Sequence, residues 1–181
     1  FEEFIALACI GTVGDVVPLL DENRVIVKYG LKKINQNPGC GLQALLEVVG
    51  FNNKDIQSEQ IGYIIAPRLN AAGRVEDPRV AFELLISNNY HYALQQAKLL
   101  NEYNLKRQKE EARIFSSLFD DKKNQESMKN DIVVVSGKYW STGVLGIIAS
   151  RLSEQLLRPV IVLSEDESVA VGSARSIFGF N

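Results

Sequence analysis

The stretch 131-DIVVVSGKYWSTGVLGIIASRLSEQLLRPVIVLS-164 decides how this chain is read. Its two ends, DIVVVSG and RPVIVLS, are short β-branched runs of the kind that form buried strands. Between them TGVLGIIASRLSEQLL carries apolar residues at helical spacing and holds no proline. A strand, a helix and a second strand within about 34 residues predict a compact βαβ unit with parallel strands. A third run, SVAVGSARS, follows the turn residues EDE and predicts another strand.

Upstream the pattern is helical. Ile5, Leu7, Ala8 and Ile10 predict a buried helix that runs out at Gly11, after which GTVGDVVPL breaks the pattern with two glycines and Pro18. From Asp21, a cap candidate, ENRVIVKYGLKKIN resumes it until Pro38 and Gly39. GLQALLEVVG closes at Gly50. Ser58 opens a further helix, which Pro67 is expected to stop, so APRLNAAGRVEDP, residues 66–78, reads as a segment that is not helical throughout. DPRVAFELLIS then starts a helix with Asp77 as cap and Pro78 at the first helical position.

Residues 88 to about 123 contain almost no helix breaker and predict one long helix, on the order of 50 Å at 1.5 Å per residue. Its middle, NLKRQKEEAR, is nearly all polar, which predicts a solvated bridge between domains. DDKKNQESMKN after it reads as loose connection. The expected class is therefore α/β: a mainly helical part, a long connecting helix, then a βαβ-containing part.

Composition bounds the function. Of 181 residues, 46% are hydrophobic, enough to bury a core in one large or two small domains. No apolar run is long enough to span a bilayer and no secretion signal opens the chain, so a cytoplasmic protein is expected. With 20 basic against 22 acidic residues, binding nucleic acid by bulk positive charge is excluded, and phosphate contacts must be local. Cys9 and Cys40 lack metal-ligand spacing and read as free thiols. Without an initiator Met, and with a helix already under way at FEEFIALACIGT, the chain reads as an internal piece of a longer polypeptide.

Asp15, among glycines after a helix end, is a turn or cap aspartate on its residues alone, and a carboxylate ligand for a hard divalent cation on the second reading. The lone histidine, His91, has no partner for catalysis. Arg68, Asn70 and Arg74 stand around the small residues Ala71, Ala72 and Gly73, where a phosphate backbone could approach and where arginines could equally cap helix carbonyls. Ser173 and Arg175 alternate along a strand, so a hydroxyl and a guanidinium point to one face and can close on one phosphate. Trp140 reads as core or lid packing before it reads as a platform for a base.

GTVGDVVPL, APRLNAAGR, GVLGIIASRLSEQLLRPVIVLS and GSARSIFGFN, in this order and spacing, resemble the single-strand-specific 5′ to 3′ DNA exonucleases of the DHH phosphoesterase family. The resemblance covers nearly the whole chain and implies that residues 1–87 are the C-terminal part of a DHH domain, 88–128 a linker helix and 129–181 the start of a DHH-associated domain. It implies Asp15 as a ligand of a Mn²⁺ or Mg²⁺ pair, Arg68, Asn70 and Arg74 as a nucleic-acid-facing set, and Ser173 and Arg175 as holders of the 5′ end, with the long helix joining the two domains across the DNA groove. Single-stranded DNA is the implied partner, in repair and recombination, with a helicase and a single-strand-binding protein as further implied partners. The family's other aspartate motifs and its Asp-His-His triplet are not in this sequence, and Ser141 follows Trp140 where the resemblance leads one to expect histidine. No certain catalytic residue remains, and the 181 residues alone are expected to be inactive. Two alternatives stay open: a catalytically inactive binding protein of the same family, and a phosphoesterase acting on short oligonucleotides.

Overall fold

The structure, a computed structural model, describes residues 4–51 and 55–180. The first three residues of the opening segment, Phe1 to Glu3, and the last of GSARSIFGFN, Asn181, lie outside them. The chain divides into two compact units, Phe1–Leu105 and Lys106–Asn181, each around its own apolar core.

The first unit is helical. Helices α1 (Ile5–Gly14), α2 (Asp21–Gln36) and α3 (Gly39–Val48) are followed by a single turn, α4 (Ser58–Gln60), a π-helical turn at Ile61–Ile65, then α5 (Ala66–Val75) and α6 (Arg79–Ile86). Val27 and Ile34 of α2, Leu42 and Leu45 of α3, and Ile61 and Ile65 of the π turn are buried in one cluster. Ala93, Ala97 and Leu100, spaced four and three apart on α7 (Tyr90–Asp120), close the same cluster with the small, flat face that helical periodicity gives them.

Two boundaries differ from the sequence expectation. Helix α1 passes through Gly11 and ends at Gly14, with Asp15 as its C-cap donating its backbone N–H to the Gly11 carbonyl at 2.9 Å. An isolated glycine costs a helix only about 1 kcal/mol, too little to end one that packs along α2. Pro67, in turn, does not stop the helix. The preceding turn is widened so that Ala66 N–H reaches the Ile61 carbonyl five residues back. That wider ladder opens space for the proline ring, and the chain remains helical to Val75. APRLNAAGRV is thus a helix throughout.

In the second unit, Ile114 and Leu118 of α7 pack with β1 (Val133–Lys138), α9 (Thr142–Leu156) and β2 (Val160–Glu165). Strands β1 and β2 are parallel, with Val133 opposite Val160, and β3 (Ala170–Arg175) pairs antiparallel with β2 to give the order β1-β2-β3. The expected βαβ unit and third strand are present. Trp140 is buried in this core, and Ser164 Oγ donates to its carbonyl at 2.8 Å.

The polar connections are more ordered than their composition suggests. Within DDKKNQESMKN a short helix, α8 (Lys122–Ser127), forms because the Asp121 side chain accepts the N–H groups of Lys123 and Asn124. The buried Asn124 then exchanges two 3.0 Å hydrogen bonds with the backbone of Ser136 on β1. The polar stretch of α7 is not solvated all round either: Asn104 is 2% exposed, and Glu111 pairs with Arg107 at 3.3 Å and with Arg151 of α9 at 3.5 Å. Mutual pairing, together with the Arg151 guanidinium lying over the Phe115 ring, lets charged side chains sit against the unit.

Candidate metal ligand and nucleic-acid interface

In the first unit, close packing brings two of the expected residues together. A Cβ placed on Gly14 would lie 3.1 Å from Ala66 Cβ, so α1 and α5 meet where both residues are small. Asp15, just past the end of α1, and Asn70 of α5 lie on the two helices that meet there. Both line a cavity of about 220 Å³ floored by Ile10, Ala66 and Leu69. The carboxylate is exposed, and a carboxylate with a neighbouring amide oxygen is a donor pair of the hard type that Mg²⁺ and Mn²⁺ accept. It is also a small one: no group of three or more His, Cys, Asp or Glu side chains capable of holding a metal occurs among the described residues.

Because α5 is helical, the three polar residues of APRLNAAGR do not share one side. Asn70 and Arg74, four apart, share an exposed side of the helix. Arg68 lies about 200° round from Asn70, at 3.6 residues per turn. Its Nε donates to Asn101 Oδ1 of α7 at 3.0 Å and its NH1 to the Ile64 carbonyl at 2.7 Å. Here the carbonyl-capping role is the one realised: a guanidinium donor serves the turn from which Pro67 removes a backbone N–H. Burial pushes the Arg68 guanidinium below its ordinary value, though from a starting point so high that it stays charged.

In the second unit, the register fixes where Ser173 and Arg175 point. Ser173 stands opposite Val162 and Arg175 opposite Val160, and those two valines are buried in the core that α9 covers. Directly opposed residues of an antiparallel pair share a face, so the hydroxyl and the guanidinium both lie on the α9 side of β3. A Cβ on Gly146 of α9 would come within 3.3 Å of Ser173 Oγ and 3.5 Å of Arg175 NH2. One helical turn on, Ser150 Oγ accepts the Arg175 Nε–H at 3.0 Å, while NH1 donates to the Ala174 carbonyl at 2.9 Å. The NH2 group makes no hydrogen bond among the described residues, and the side chain is exposed. A guanidinium held at two of its nitrogens, with the third beside Gly146 and the Ser173 hydroxyl, can grip an anion while losing little side-chain freedom.

Gly146 and Ser150 were not singled out from the sequence. Their four-residue spacing within GIIAS put them on one side of α9, but only the pairing of β3 shows what that side faces. His91 is exposed near the start of α7 and joins none of these groups.

No family model matches the chain. Its sequence is 38% identical over 182 residues to the "Single-stranded-DNA-specific exonuclease RecJ" of Bacillus subtilis, covering 99% of this chain and 23% of the relative. The protein of the same name from Haemophilus influenzae is 35% identical, covering 100% and 32%. Among solved structures, RecJ of Thermus thermophilus in complex with Mg²⁺ superposes with a TM-score of 0.83 at 32% identity, over 97% of this chain and 27% of that one. A structure of exonuclease RecJ bound to manganese gives 0.81 at 32% identity, over 98% and 43%. The chain thus spans roughly a quarter to a third of the curated relatives it matches.

Proposed function

We propose, from the homology of this chain to a segment of the RecJ exonucleases, that it serves as part of a divalent-metal-dependent exonuclease degrading single-stranded DNA from its 5′ end, in repair and recombination. The observation that carries the reading is the Ser173 and Arg175 pair on the α9 side of β3, with Arg175 Nε held by Ser150 and NH1 by the Ala174 carbonyl. A terminal phosphate is the ligand such a pair suits: its oxygens accept from the Ser173 hydroxyl and from NH2 of Arg175 together. The metal-bound RecJ structures support the use of Mg²⁺ or Mn²⁺.

In the first unit the Asp15 carboxylate is offered to a cation, with the Asn70 amide beside it to orient a phosphate oxygen or a coordinated water. The cation, when bound, activates water and offsets the charge that builds on the phosphoryl oxygens. Arg74, on the side of α5 that carries Asn70, contacts the strand backbone. Arg68 stays within the fold and supports α5 against α7. In domain terms, residues 1–87 are the end of a DHH domain, 88–128 the linker helix and 129–181 the start of a DHH-associated domain; a helicase and a single-strand-binding protein are the company such an enzyme keeps.

One carboxylate cannot assemble a two-metal site, so the 181 residues alone are inactive in this reading. Incubation with Mn²⁺ and a 5′-labelled single strand is expected to release no nucleotides; processive digestion would contradict the reading. A second possibility is a family member that binds strands without cutting them. Mn²⁺-dependent hydrolysis by the full polypeptide carrying this segment, lost on Asp15→Asn, separates the two.

A further inference from the structure

Helix α2 departs from the charge balance of the chain. From Asn23 to Gln36 it carries Arg24, Lys28, Lys32 and Lys33 and no carboxylate, in a protein whose formal net charge is −2. Arg24, Lys28 and Lys32 fall four apart on one stripe; Tyr29, Lys33 and Gln36 form the adjoining one. All four cations are exposed, and none is in an ion pair among the described residues. The Tyr29 ring is 51% exposed, with the Lys28 ammonium 5.9 Å from its centroid. Tyr29, Lys32, Lys33 and Gln36 line, with Ile5 of α1, a cleft of about 460 Å³.

We propose that this face of α2 is a second strand-binding surface, on which a base of single-stranded nucleic acid stacks against Tyr29 and the flanking phosphates meet Lys28, Lys32 and Lys33. The occupant follows from the chemistry. Unpaired cations in a row at one-turn intervals match a polyanion, and a half-open aromatic ring between them gives an unpaired base a flat apolar contact that any base can make. The Gln36 amide supplies a donor and an acceptor for a base edge without demanding one sequence. A duplex offers no free base face to Tyr29, so the surface selects single strands. The inference rests on the nucleic-acid reading above but concerns a backbone contact independent of the strand end.

The test measures anisotropy of a long 3′-labelled oligothymidylate, with and without a 5′ phosphate, titrated with the 181-residue chain across a salt series. Replacing Lys28, Lys32 and Lys33 together by glutamine is expected to weaken binding at least ten-fold at low salt. It should also flatten the plot of log affinity against log salt by about 2, at roughly 0.7 per phosphate contact on a single strand. Tyr29→Ala is expected to lose about five-fold or more, with Tyr29→Phe retaining affinity. Both losses are the same with either 5′ end, whereas Arg175→Ala acts on the phosphorylated end alone, so the two sites fail separately. All these side chains are exposed, and circular dichroism checks that the variants fold. Wild-type affinity and slope in a folded triple variant would overturn the proposal and leave the end-holding role intact. Loss of an aromatic-tipped polyglutamate peptide with strand binding unchanged would assign α2 to a protein partner and also overturn it. A wild-type chain that binds no strand at any salt would defeat both this inference and the reading beneath it.

Discussion

Arg68 in the helical unit and Arg175 in the sheet unit look alike in sequence, each an arginine two residues from another polar side chain, yet the fold treats them in opposite ways. Arg68 turns inward, burial lowers its pKa, and its donors go to Asn101 and the Ile64 carbonyl. Arg175 is exposed on the α9 side of β3, with Nε held by Ser150 and NH1 by the Ala174 carbonyl. Secondary structure makes the difference. On a helix, residues two apart face opposite sides, so Asn70 and Arg68 part company; on a strand, residues two apart share a side, so Ser173 and Arg175 converge. The same spacing therefore brings two polar side chains to one side in one unit and parts them in the other.

If Arg68 is part of the fold, Arg68→Ala leaves a carbonyl and an amide without their charged partner and is expected to cost about 2 kcal/mol. A lowered denaturation midpoint, with strand affinity per folded molecule unchanged, checks this. Unaltered stability would move Arg68 back among the ligand-facing residues.

A second contrast is pH dependence, which the helical unit should dominate at the alkaline end. Burial raises the Cys9 thiol from 9.0 to about 11. Because the folded value lies above the unfolded one, the protonated thiol favours the fold fully below pH 9, and that contribution is lost as pH rises from 9 to 11. The loss is at most about 3 kcal/mol. Alkaline denaturation of wild type against Cys9→Ala reads it: the difference between them should change only in that window.

Gly146→Ala sharpens the comparison from the sheet side because its two effects carry opposite signs. Alanine favours the helix by about 1 kcal/mol, so stability should hold or rise. Its methyl, 3.3 Å from Ser173 Oγ and 3.5 Å from Arg175 NH2, displaces the grip, and affinity for a 5′-phosphorylated end is expected to fall several-fold. A rise in stability with unchanged end affinity would show that α9 does not shape that grip. The smallest effect belongs to Glu110 and Arg113 of α7, whose side chains pair at 2.7 Å. That guanidinium holds the Glu110 carboxyl below its usual value, so the pair stabilises above the ordinary carboxylate range and fades as pH falls. Arg113→Ala should cost about 0.3–0.5 kcal/mol at neutral pH and less in acid.

How much of this was legible beforehand follows from how local each signal is. The βαβ unit and the long helix were, because β-branched runs and an absence of breakers act over neighbouring residues. So was the shared side of Ser173 and Arg175, which needs only the alternation of a strand. The helicity of APRLNAAGRV was not, since the proline is accommodated by a widened turn that shows only in the hydrogen bonds of Ile61 to Ala66. Helix α8 escaped notice because its stability comes from a cap and from Asn124 bonded to β1, and neither registers as hydrophobic periodicity. The cavity that Asp15 and Asn70 both line draws on residues 55 positions apart, near where Gly14 meets Ala66. Ser150 was hidden for the same reason: its partner is on another element.

The most direct test of the contrast is one ratio, the affinity for a 5′-phosphorylated single strand over that for the same strand with a 5′ hydroxyl, measured for the full polypeptide carrying this segment. Arg175→Ala should bring the ratio close to one, a loss of at least ten-fold at about 1.5–3 kcal/mol for a charged hydrogen-bonding group, while Arg68→Ala leaves it at the wild-type value. A ratio that survives Arg175→Ala, or that collapses with Arg68→Ala in a folded protein, would contradict the account.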